Sequence, residues 1–500
     1  MDILNSILHG FGIAFEFQNL LLCFVGVLLG TFTGVLPGFG PSAAIALLIP
    51  LTFGLSGVSS IILLSGIYYG AMYGGSTTSI LVNIPGEAAS VITCLDGYAM
   101  AQRGRAGPAL GISAFGSLIG GTIAIVGMMF IAPPLANFAM KFGPHELFSI
   151  MFLGLTVITY VSRGSIVKGL MMAAVGLILS SVGQDIIAGT PRLTFGINDL
   201  LEGIPLVPLA MGLFGISEVI LNLEKTLKVE IYDKTIKNIL PTLKDWAASI
   251  WAILRGSVIG FFSGLIPGTG PVIASFISYA IEKKISKTPE KFGTGMIEGV
   301  AGPESANNAA VQAAFIPLFT LGIPVTPAIA ILFGAFLIHG MIPGPLLIAN
   351  QPDLFWGVVA SMYLGNIMLL ILNLPLINMW VRIVRIPYHY LFPLILLFCL
   401  IGAFSLDLAM SSIYCMVIFG VIGYIMKKFD YEPTPLIMGF ILGSIMERSL
   451  RQALIISHGS FASFFKKPIC VVVLSLAAII LVTNILPYLR SKRMVVGTGD

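Results

Sequence analysis

The sequence predicts an all-α protein that crosses a membrane many times, and three observations support this fold class. Residues of the apolar set AVILMFWYC make up 57% of the 500 residues, and charged residues make up only 10%. Soluble domains average about 45–50% apolar and about 25% charged residues. The third observation is a stretch of 70 residues, 17–86, without Asp, Glu, Lys or Arg. Together they exclude a soluble enzyme, a nucleic-acid-binding protein and a disordered chain.

Uncharged stretches divide the chain into roughly twelve predicted membrane segments. A helix needs about 20 apolar residues to cross the hydrocarbon core, so residues 17–86 hold about three crossings or re-entrant pieces. Backbone groups in lipid must bond to one another, which favours helices. Strands of a membrane barrel would alternate apolar and polar residues, and this chain does not. Further uncharged stretches cover residues 106–140, 256–281, 305–352, 354–381, 386–406 and 468–489.

The chain contains an internal repeat. Residues 26–41 align with residues 256–271 at an offset of 230, and eight of the 16 positions are identical. A second match pairs Pro208, Gly212, Gly215 and Glu218 with Pro435, Gly439, Gly443 and Glu447. The predicted organisation is an N-terminal segment 1–18, a first repeat 19–222, a charged cytoplasmic linker 223–246, a second repeat 247–451 and a tail 452–500 with a final membrane helix at 468–489.

The distribution of lysines predicts that the two repeats are inverted. No Lys or Arg precedes the first repeat, whereas lysines precede the second. These are Lys225, Lys228, Lys234, Lys237 and Lys244. Because basic loops favour the cytoplasmic side, equivalent helices would enter from opposite faces. Residues 247–281 would form a re-entrant hairpin and 19–53 its mirror image, with a single interrupted helix as the alternative. Such repeats are typical of secondary transporters.

Two motifs rich in glycine and proline lie at equivalent positions of the repeats. They read Pro-Gly-Phe-Gly-Pro at 37–41 and Pro-Gly-Thr-Gly-Pro at 267–271. Proline removes a backbone donor and glycine permits positive φ, so neither motif stays helical. Broken backbone at membrane depth occurs inside protein or beside water, and its free groups can hold ions; a simple kink is the alternative. The candidate substrate-binding residues here are Gly38, Gly40, Gly268, Thr269 and Gly270.

Polar side chains cluster near both motifs. Hydroxyl and amide groups suit a carboxylate or a small cation, and hydrogen bonds between packed helices are the alternative. The first-half candidates for substrate binding are Ser76, Thr77, Thr78, Ser79 and Asn83. Their expected counterparts in the second half are Ser305, Asn307, Asn308 and Thr326.

Acidic residues near these clusters are candidates for binding a coupling ion. Ionisable groups at membrane depth are expensive and are usually functional, although a position at the interface is the alternative. The candidates are Glu87, Asp96, Glu298 and Glu304. The histidines lack metal-site spacing and no nucleotide-binding loop occurs, so no cofactor is predicted and sodium is a candidate coupling ion.

The motifs resemble the large membrane subunit of the tripartite tricarboxylate transporters, the TctA-type family. The resemblance rests on Leu36–Pro41, Tyr69–Ser79, Ile84–Glu87, Asp96–Tyr98, Pro267–Pro271, Gly299–Asn308 and Leu321–Pro324. It implies a translocating, multi-pass subunit in the bacterial inner membrane, and no enzyme. It also implies two partners, a small TctB-type membrane subunit and a TctC-type periplasmic solute-binding protein.

The same resemblance implies uptake of organic carboxylates by sodium or proton symport, with alternating access at the repeat interface. A channel and an intramembrane enzyme are the other classes to weigh. A channel would conduct without gradient coupling and without a binding protein. An enzyme would need a nucleophile–base pair or a metal cluster, which the sequence does not contain.

Overall fold

The computed structural model describes residues 3–36, 39–161, 165–185, 187–224, 238–384 and 388–496, and these are mostly helical. In the first half the helices are α1 (Ile3–Ala14), α2 (Phe17–Val35), α3 (Pro41–Leu48), α4 (Gly57–Val82), α5 (Val91–Thr93), α6 (Ala99–Gln102), α7 (Ala106–Ala139), α8 (Pro144–Val161), α9 (Ile166–Ser180), α10 (Leu206–Ala210) and α11 (Ser217–Glu224). Two short strands, β1 (Gly183–Gln184) and β2 (Pro191–Arg192), pair antiparallel between α9 and α10.

The second half and the tail are helical as well. Their helices are α12 (Leu243–Leu265), α13 (Gly270–Ile285), α14 (Glu298–Ala313), α15 (Phe315–Leu321), α16 (Pro327–Ile338), α17 (Leu347–Asn350), α18 (Pro352–Asn373), α19 (Ile377–Val384), α20 (Tyr388–Ser405), α21 (Met410–Lys428), α22 (Pro433–Ile456), α23 (Ala462–Phe465) and α24 (Pro468–Val496). The predicted tail helix at 468–489 corresponds to α24, which extends further. Most of the predicted linker, including Lys225, Lys228, Lys234 and Lys237, lies outside the described residues.

The chain is a multi-pass membrane protein by the length and composition of its helices. Six helical stretches among the described residues are long and apolar enough to cross a membrane, and seven apolar helices are shorter. The six stretches are Phe17–Val35, Ala106–Ala139, Leu206–Glu224, Leu243–Leu265, Pro352–Asn373 and Met410–Lys428. The predicted number of about twelve segments stays a prediction, because length alone does not show which shorter helices enter the bilayer.

Each half is built around one closely packed helix pair. In the first half α2 packs along α4, and in the second half α12 packs along α14. A Cβ added to Gly30 of α2 would lie 2.5 Å from the carbonyl oxygen of Ile67, and one added to Gly260 of α12 would collide with the carbonyl of Ala306. Glycine at these points lets the two backbones touch, which is a common way for helices to associate in membranes.

The packing fixes the correspondence between the halves. Ile67 and Ala306 occupy equivalent places, so α4 and α14–α15 match at an offset of 239 rather than 230. The same offset relates Asn83 (φ 58°) to Gly322 (φ 68°), the left-handed residues that end α4 and α15. Each is followed by Ile-Pro. Ser76–Ser79 therefore correspond to residues 315–318, and the expected match with Ser305, Asn307 and Asn308 is wrong because the second half has nine more residues before α14.

Later helices of each half pack against the other half. Helix α7 packs on α12 and α14, whereas α18 packs on α2 and α4. In the same way α9 packs on α22, and α21 packs on the α10–α11 region. The two halves are therefore interlocked, and neither has its complete set of neighbours alone.

The loops gather at two opposite ends of this bundle. At one end, residues 96–105, 238–245 and 282–298 are joined by contacts such as Arg105 with Asp245 and Gly293 with Asp96. This end, the basic end, holds Arg103, Arg105, Lys244, Lys283, Lys284, Lys287 and Lys291.

The opposite end, the base-free end, comprises residues 14–19, 52–59 and 339–353. His339 contacts Thr52 at 3.0 Å, and Ser59 donates a hydrogen bond to Asn19. These three segments contain no Lys or Arg. Helix α4 runs from this end to the basic end, where Val82 packs in one cluster with Met100.

Candidate functional site

Broken backbone segments meet in the interior of the bundle. In the second half the Gly268 N–H donates to the Val325 carbonyl at 3.0 Å, which joins the glycine motif to the break between α15 and α16. Gly268 has a φ of 83° and Gly270 a φ of 50°. In the first half the break after α4 lies against α2, since a Cβ on Gly86 would collide with the carbonyl of Gly34. The second half thus joins its two broken segments directly, and in the first half the break after α4 lies against the central helix pair.

Two contacts connect the break of one half with the central helix of the other. The Tyr68 hydroxyl of α4 lies 3.3 Å from the Thr326 hydroxyl. The Asn307 amide of α14 donates to Glu87 at 3.5 Å. The residues of the two contacts correspond at the offset of 239, since Tyr68 matches Asn307 and Glu87 matches Thr326. The two contacts are therefore equivalent, with the roles of the first and second halves exchanged.

Thr326 and Glu87 also play the same local role. The Thr326 hydroxyl accepts a hydrogen bond from the Ile329 N–H at the start of α16. The Glu87 carboxylate accepts one from the Ala89 N–H at 2.5 Å. Both side chains cap the helical turn that follows the break, which is a common use of Thr and of carboxylates. The cap is neutral in one half and acidic in the other.

A second buried carboxylate, Glu304 of α14, lies close to Glu87. Its side chain is 1% exposed and accepts hydrogen bonds from Ser76 of α4 at 2.6 Å and from Thr93 of α5. The hydroxyls of Ser113 and Ser117 of α7 also lie beside it. Among the described residues, no Lys, Arg or His pairs with Glu87 or Glu304. All of their partners are neutral, although both carboxylates are buried.

We call this group of neighbouring residues the first cradle, and we call its equivalent in the other half the second cradle. The first cradle consists of Glu87, Asn307, Glu304, Ser76 and Thr93. The second cradle consists of the residues equivalent to them at the offset of 239, which are Thr326, Tyr68, Ser65, Phe315 and Leu332. The first cradle contains two carboxylates, and the second contains only hydroxyl groups and apolar side chains.

Several polar atoms around the first cradle have no hydrogen-bond partner among the described residues. They include the Tyr73 hydroxyl and the Asn307 Oδ1, and Asn307 is 1% exposed. Tyr73 interacts electrostatically with Glu304. Buried polar groups are nearly always paired in folded proteins. These oxygens are therefore available to a bound ion, water or substrate group.

Other predicted site residues are used for helix packing. The Ser305 hydroxyl donates to the Ile253 carbonyl at 2.6 Å, between α14 and α12. The Asn308 amide donates to Ser117 at 2.7 Å, between α14 and α7. Thr78 and Ser79 both donate to the Gly75 carbonyl within α4.

The remaining substrate candidates are placed as follows. Thr77 is buried in α4, Asn83 is exposed at its end, Gly40 is partly exposed before α3, and the Thr269 hydroxyl donates to the Ile266 carbonyl. Gly38 lies outside the described residues.

Asp96 and Glu298 lie away from the cradles. The Asp96 carboxylate accepts hydrogen bonds from the N–H groups of Gly293, Gly295 and Met296 and from the Tyr279 hydroxyl. These bonds tie the π-helical turn Cys94–Tyr98 to the loop before α14. Glu298 lines an open cavity of about 1100 Å³ at the basic end, beside Arg105 and Lys244.

Sequence reasoning missed several residues that surround the site. Tyr73 lies in the Tyr69–Ser79 motif but was not selected, Tyr68 directly precedes that motif, and Thr93 lies outside the motifs that were singled out. Ser113 and Ser117 are four residues apart in α7, so they share one helix face. That spacing was the signal in the sequence for a polar face on α7, but only the structure shows that this face lies beside Glu304.

The donor set limits the chemistry of the site. Among the described residues there is no group of three or more His, Cys, Asp or Glu that could hold a metal ion. Two carboxylates, several hydroxyls and one amide oxygen suit a hard cation with oxygen ligands or a proton. Backbone N–H groups and the start of α16 suit an anion.

Comparison with known proteins shows the family of the chain. The model of the tripartite tricarboxylate transporter TctA family matches residues 20–438. The chain is 48% identical to a protein of Agrobacterium vitis described as an uncharacterized 52.8 kDa protein in the TAR-I ttuC' 3' region, over 99% of this chain and 98% of the relative. It is 50% identical to another from the TAR-II ttuC' 3' region of Agrobacterium vitis, over 47% of this chain and 97% of that relative. No solved structure matches the chain. The chain therefore belongs to the tripartite tricarboxylate transporter TctA family, a family of membrane transporter subunits and not of enzymes.

Proposed function

We propose that the chain is the translocating subunit of a carboxylate importer that works by alternating access, with its site between the two halves. The observation that carries this proposal is the exchanged pair of contacts, Tyr68 with Thr326 and Asn307 with Glu87. Such reciprocal contacts are expected when two like units face each other across a two-fold axis. Two like units can exchange arrangements of similar energy, which is how repeat-built transporters open to either side.

The halves are proposed to be inverted in the membrane. Helix α2 begins at the base-free end, and its equivalent α12 begins beside Lys244 at the basic end. Because basic loops remain in the cytoplasm, α2 would start outside and α12 inside. The hairpins α2–α3 and α12–α13 would then be re-entrant and would enter from opposite faces.

The substrate anion is proposed to bind at the second cradle. The start of α16 presents backbone N–H groups beside Thr326, and helix N-termini favour anions. Gly268, Thr269 and Gly270 lie next to this point, and Gly270 is close enough that a Cβ on it would lie 3.1 Å from the Thr326 methyl group. The Tyr68 hydroxyl completes a set of neutral donors. The substrate class is an organic carboxylate, either a citrate-like tricarboxylate or a related dicarboxylate.

The partners follow from the family and are part of the proposal. A TctC-type periplasmic solute-binding protein would deliver the anion, and a small TctB-type subunit would accompany this chain in the bacterial inner membrane. Uptake would be driven by a sodium or proton gradient. The family match supports these partners and this location.

The proposal is tested by uptake of labelled di- and tricarboxylates into proteoliposomes that hold this chain and its small subunit. The binding protein is present or absent, and sodium and proton gradients are imposed separately. We expect uptake that needs the binding protein and one of the two gradients. Leak of the same anions without the binding protein and without a gradient would contradict the proposal and would indicate a channel.

The assignment of the second cradle needs its own variants. We expect Tyr68→Phe and Thr326→Ala each to reduce the rate of uptake by roughly tenfold, since a lost hydrogen bond to a charged group is worth about 1.5 kcal/mol or more. Tyr414→Phe is the matched control, because Tyr414 is 60% exposed and outside the cradles. Unchanged uptake in both variants would show that the anion does not bind at the second cradle.

A further inference from the structure

The first cradle combines two buried carboxylates with an absence of compensating charge in the described part of the chain. Glu304 is 1% exposed and Glu87 is 7% exposed, and they interact electrostatically with each other. An isolated buried charge is strongly unfavourable unless it is paired, coordinated to a metal or neutralised. Hydroxyl and amide donors reduce this cost without removing the charge, so the cradle is built for a positively charged occupant.

The polar atoms around the carboxylates point to the same kind of occupant. The Asn307 amide nitrogen faces Glu87, which leaves its Oδ1 buried and unpartnered. The Tyr73 hydroxyl is likewise buried and unpartnered beside Glu304. A hydroxyl that donates to a carboxylate keeps its lone pairs, so Ser76 and Thr93 can donate to Glu304 and still offer oxygen to a cation. The cradle thus presents oxygen ligands of several kinds on neighbouring parts of α4, α5 and α14.

The second cradle provides an internal comparison. The places of Glu87 and Glu304 are taken by Thr326 and Ser65, and the place of Ser76 is taken by Phe315. The second cradle therefore keeps the exchanged contact and hydroxyls at three of its five positions, but it has neither carboxylate. A purely structural role would be expected to persist in both copies. The difference indicates that the two copies have specialised for different ligands.

We propose that the first cradle binds one sodium ion, held by Glu87, Glu304, the Asn307 Oδ1 and the hydroxyls of Ser76 and Thr93. A monovalent ion fits this set, because three of the five ligands are neutral oxygens. The ion touches both halves, since Glu87, Ser76 and Thr93 belong to the first and Glu304 and Asn307 to the second. Its binding therefore depends on the arrangement of the halves.

The consequence for transport rests on the proposed function. A substrate carboxylate at the second cradle would be repelled by two uncompensated carboxylates nearby. Sodium in the first cradle lowers that repulsion, so the ion binds before the anion and both are carried together. Asp96 takes no part, because its carboxylate is already bonded to four protein donors, and neither does Glu298 at the basic end.

The test is direct ion binding by the purified full chain, without substrate or partner proteins. The midpoint of thermal unfolding is measured against sodium chloride concentration, with potassium or choline chloride keeping the ionic strength constant. A ligand that binds only the folded state raises this midpoint. We expect the wild-type midpoint to rise with sodium and not with potassium or choline, and Glu304→Gln and Glu87→Gln to abolish the rise.

Two further variants and a control keep the result clear. Ser76→Ala and Thr93→Val retain both carboxylates, and each should raise the half-saturating sodium concentration by roughly tenfold or more, as expected for one lost ligand. If a glutamate variant fails to fold, these two variants still test whether sodium binds at the first cradle. Glu290→Gln, at an exposed position of the same half, should respond to sodium like the wild type.

Three outcomes would overturn the sodium site. A sodium response that survives in both Glu304→Gln and Glu87→Gln places the ion elsewhere. An equal rise of the unfolding midpoint with potassium or choline would show that the site is not specific for sodium. A midpoint that ignores sodium but depends on pH indicates a proton instead. Because none of these measurements involves transport, they can fail while carboxylate uptake is demonstrated, or succeed while uptake is not.

Discussion

At the scale of single residues, Gly86 is the most constrained position next to the site. It follows Pro85 in the break after α4 and sits between α2 and α4. A Cβ at this position would lie 2.5 Å from the Gly75 Cα and would collide with the Gly34 carbonyl. Both obstacles are backbone atoms of packed helices, so neither can turn away as a side chain could.

We therefore expect Gly86→Ala to destabilise the protein by about 1–3 kcal/mol, the usual cost of overpacking, and to displace Glu87. The measurement is the thermal unfolding midpoint of the purified chain in detergent. Gly12→Ala is the matched control, because a Cβ on Gly12 of α1 meets nothing within 4 Å. A wild-type midpoint in Gly86→Ala would contradict the close packing described for this break.

At the scale of elements, the β1–β2 hairpin is attached to α22 by a network of charges. Asp185 at the hairpin turn accepts hydrogen bonds from the N–H groups of Ile187 and Ala188, each at 2.8 Å. It also pairs with Arg451 of α22 at 2.8 Å. These backbone hydrogen bonds, with Arg451, lower the pKa of Asp185 to about 2. The hairpin therefore depends on the ionised carboxylate.

The sign of the pH dependence follows from the lowered pKa. The contribution of Asp185 is fully present above its ordinary pKa of 3.8 and is lost as the pH falls through about 2. We expect hydrogen exchange at Ile187 and Ala188, corrected for intrinsic rates, to become faster between pH 4 and pH 2. Asp185→Asn should exchange faster at pH 4 and show little change over this window. Equal protection in the two proteins would show that the carboxylate does not hold the turn.

The ion pair between α11 and α21 corresponds to this network at the equivalent position of the repeat. Glu218, which matches Glu447 in the repeat, pairs with Lys427 of α21. Glu447 itself pairs with Arg192 of the hairpin at 2.6 Å. Both equivalent glutamates therefore bind a basic residue of the opposite half.

We expect the single reversals Glu218→Lys and Lys427→Glu to lower the unfolding midpoint and the double reversal to restore most of the loss. Both side chains are about one-quarter exposed, so the coupling free energy should be modest, about 0.5–1 kcal/mol. Glu290→Lys serves as the control for adding positive charge at an exposed site. Additive losses in the double variant would show that the pair contributes no coupling.

Sequence reasoning captured the elements that carry a strong local signal. The repeated glycine spacing identified α2 and α12 as equivalent, because close helix contact requires small residues at fixed intervals. It misplaced Ser305, Asn307 and Asn308 in the partner helix, since the nine additional residues before α14 shift the register. The direction of Ser305 towards Ile253 rather than towards the site depends on the phase of α14, which the sequence alone does not give. Glu304 was identified as ionisable, but its hydroxyl partners come from α4, α5 and α7.

At the scale of the whole molecule, the segments that define the two ends differ in charge. The basic end carries seven Lys and Arg residues, and the base-free end carries none in its three segments. If basic loops face the cytoplasm, the orientation of the whole chain follows from this difference. The inverted arrangement of the halves depends on the same assignment.

We expect a cysteine at Asp353 to react with a membrane-impermeant maleimide added outside intact cells, and a cysteine at Lys287 to react only after the cells are opened. Both positions are exposed. The five native cysteines are first replaced by serine or alanine, and uptake is checked in that background. Labelling of both positions from the same side would rule out inverted halves with these ends.

Helix α4 has a consequence for how the protein is made. Every residue from Ser59 to Val82 is buried, so this helix has no side that faces lipid. During synthesis its partners α14 and α18 emerge about 230 and about 290 residues later, which takes on the order of 10–60 s at ordinary translation rates. Until then only elements of the first half cover it, chiefly the glycine-lined face of α2. We therefore expect the nascent first half to be retained by the insertion machinery, or by a membrane chaperone, until the second half arrives.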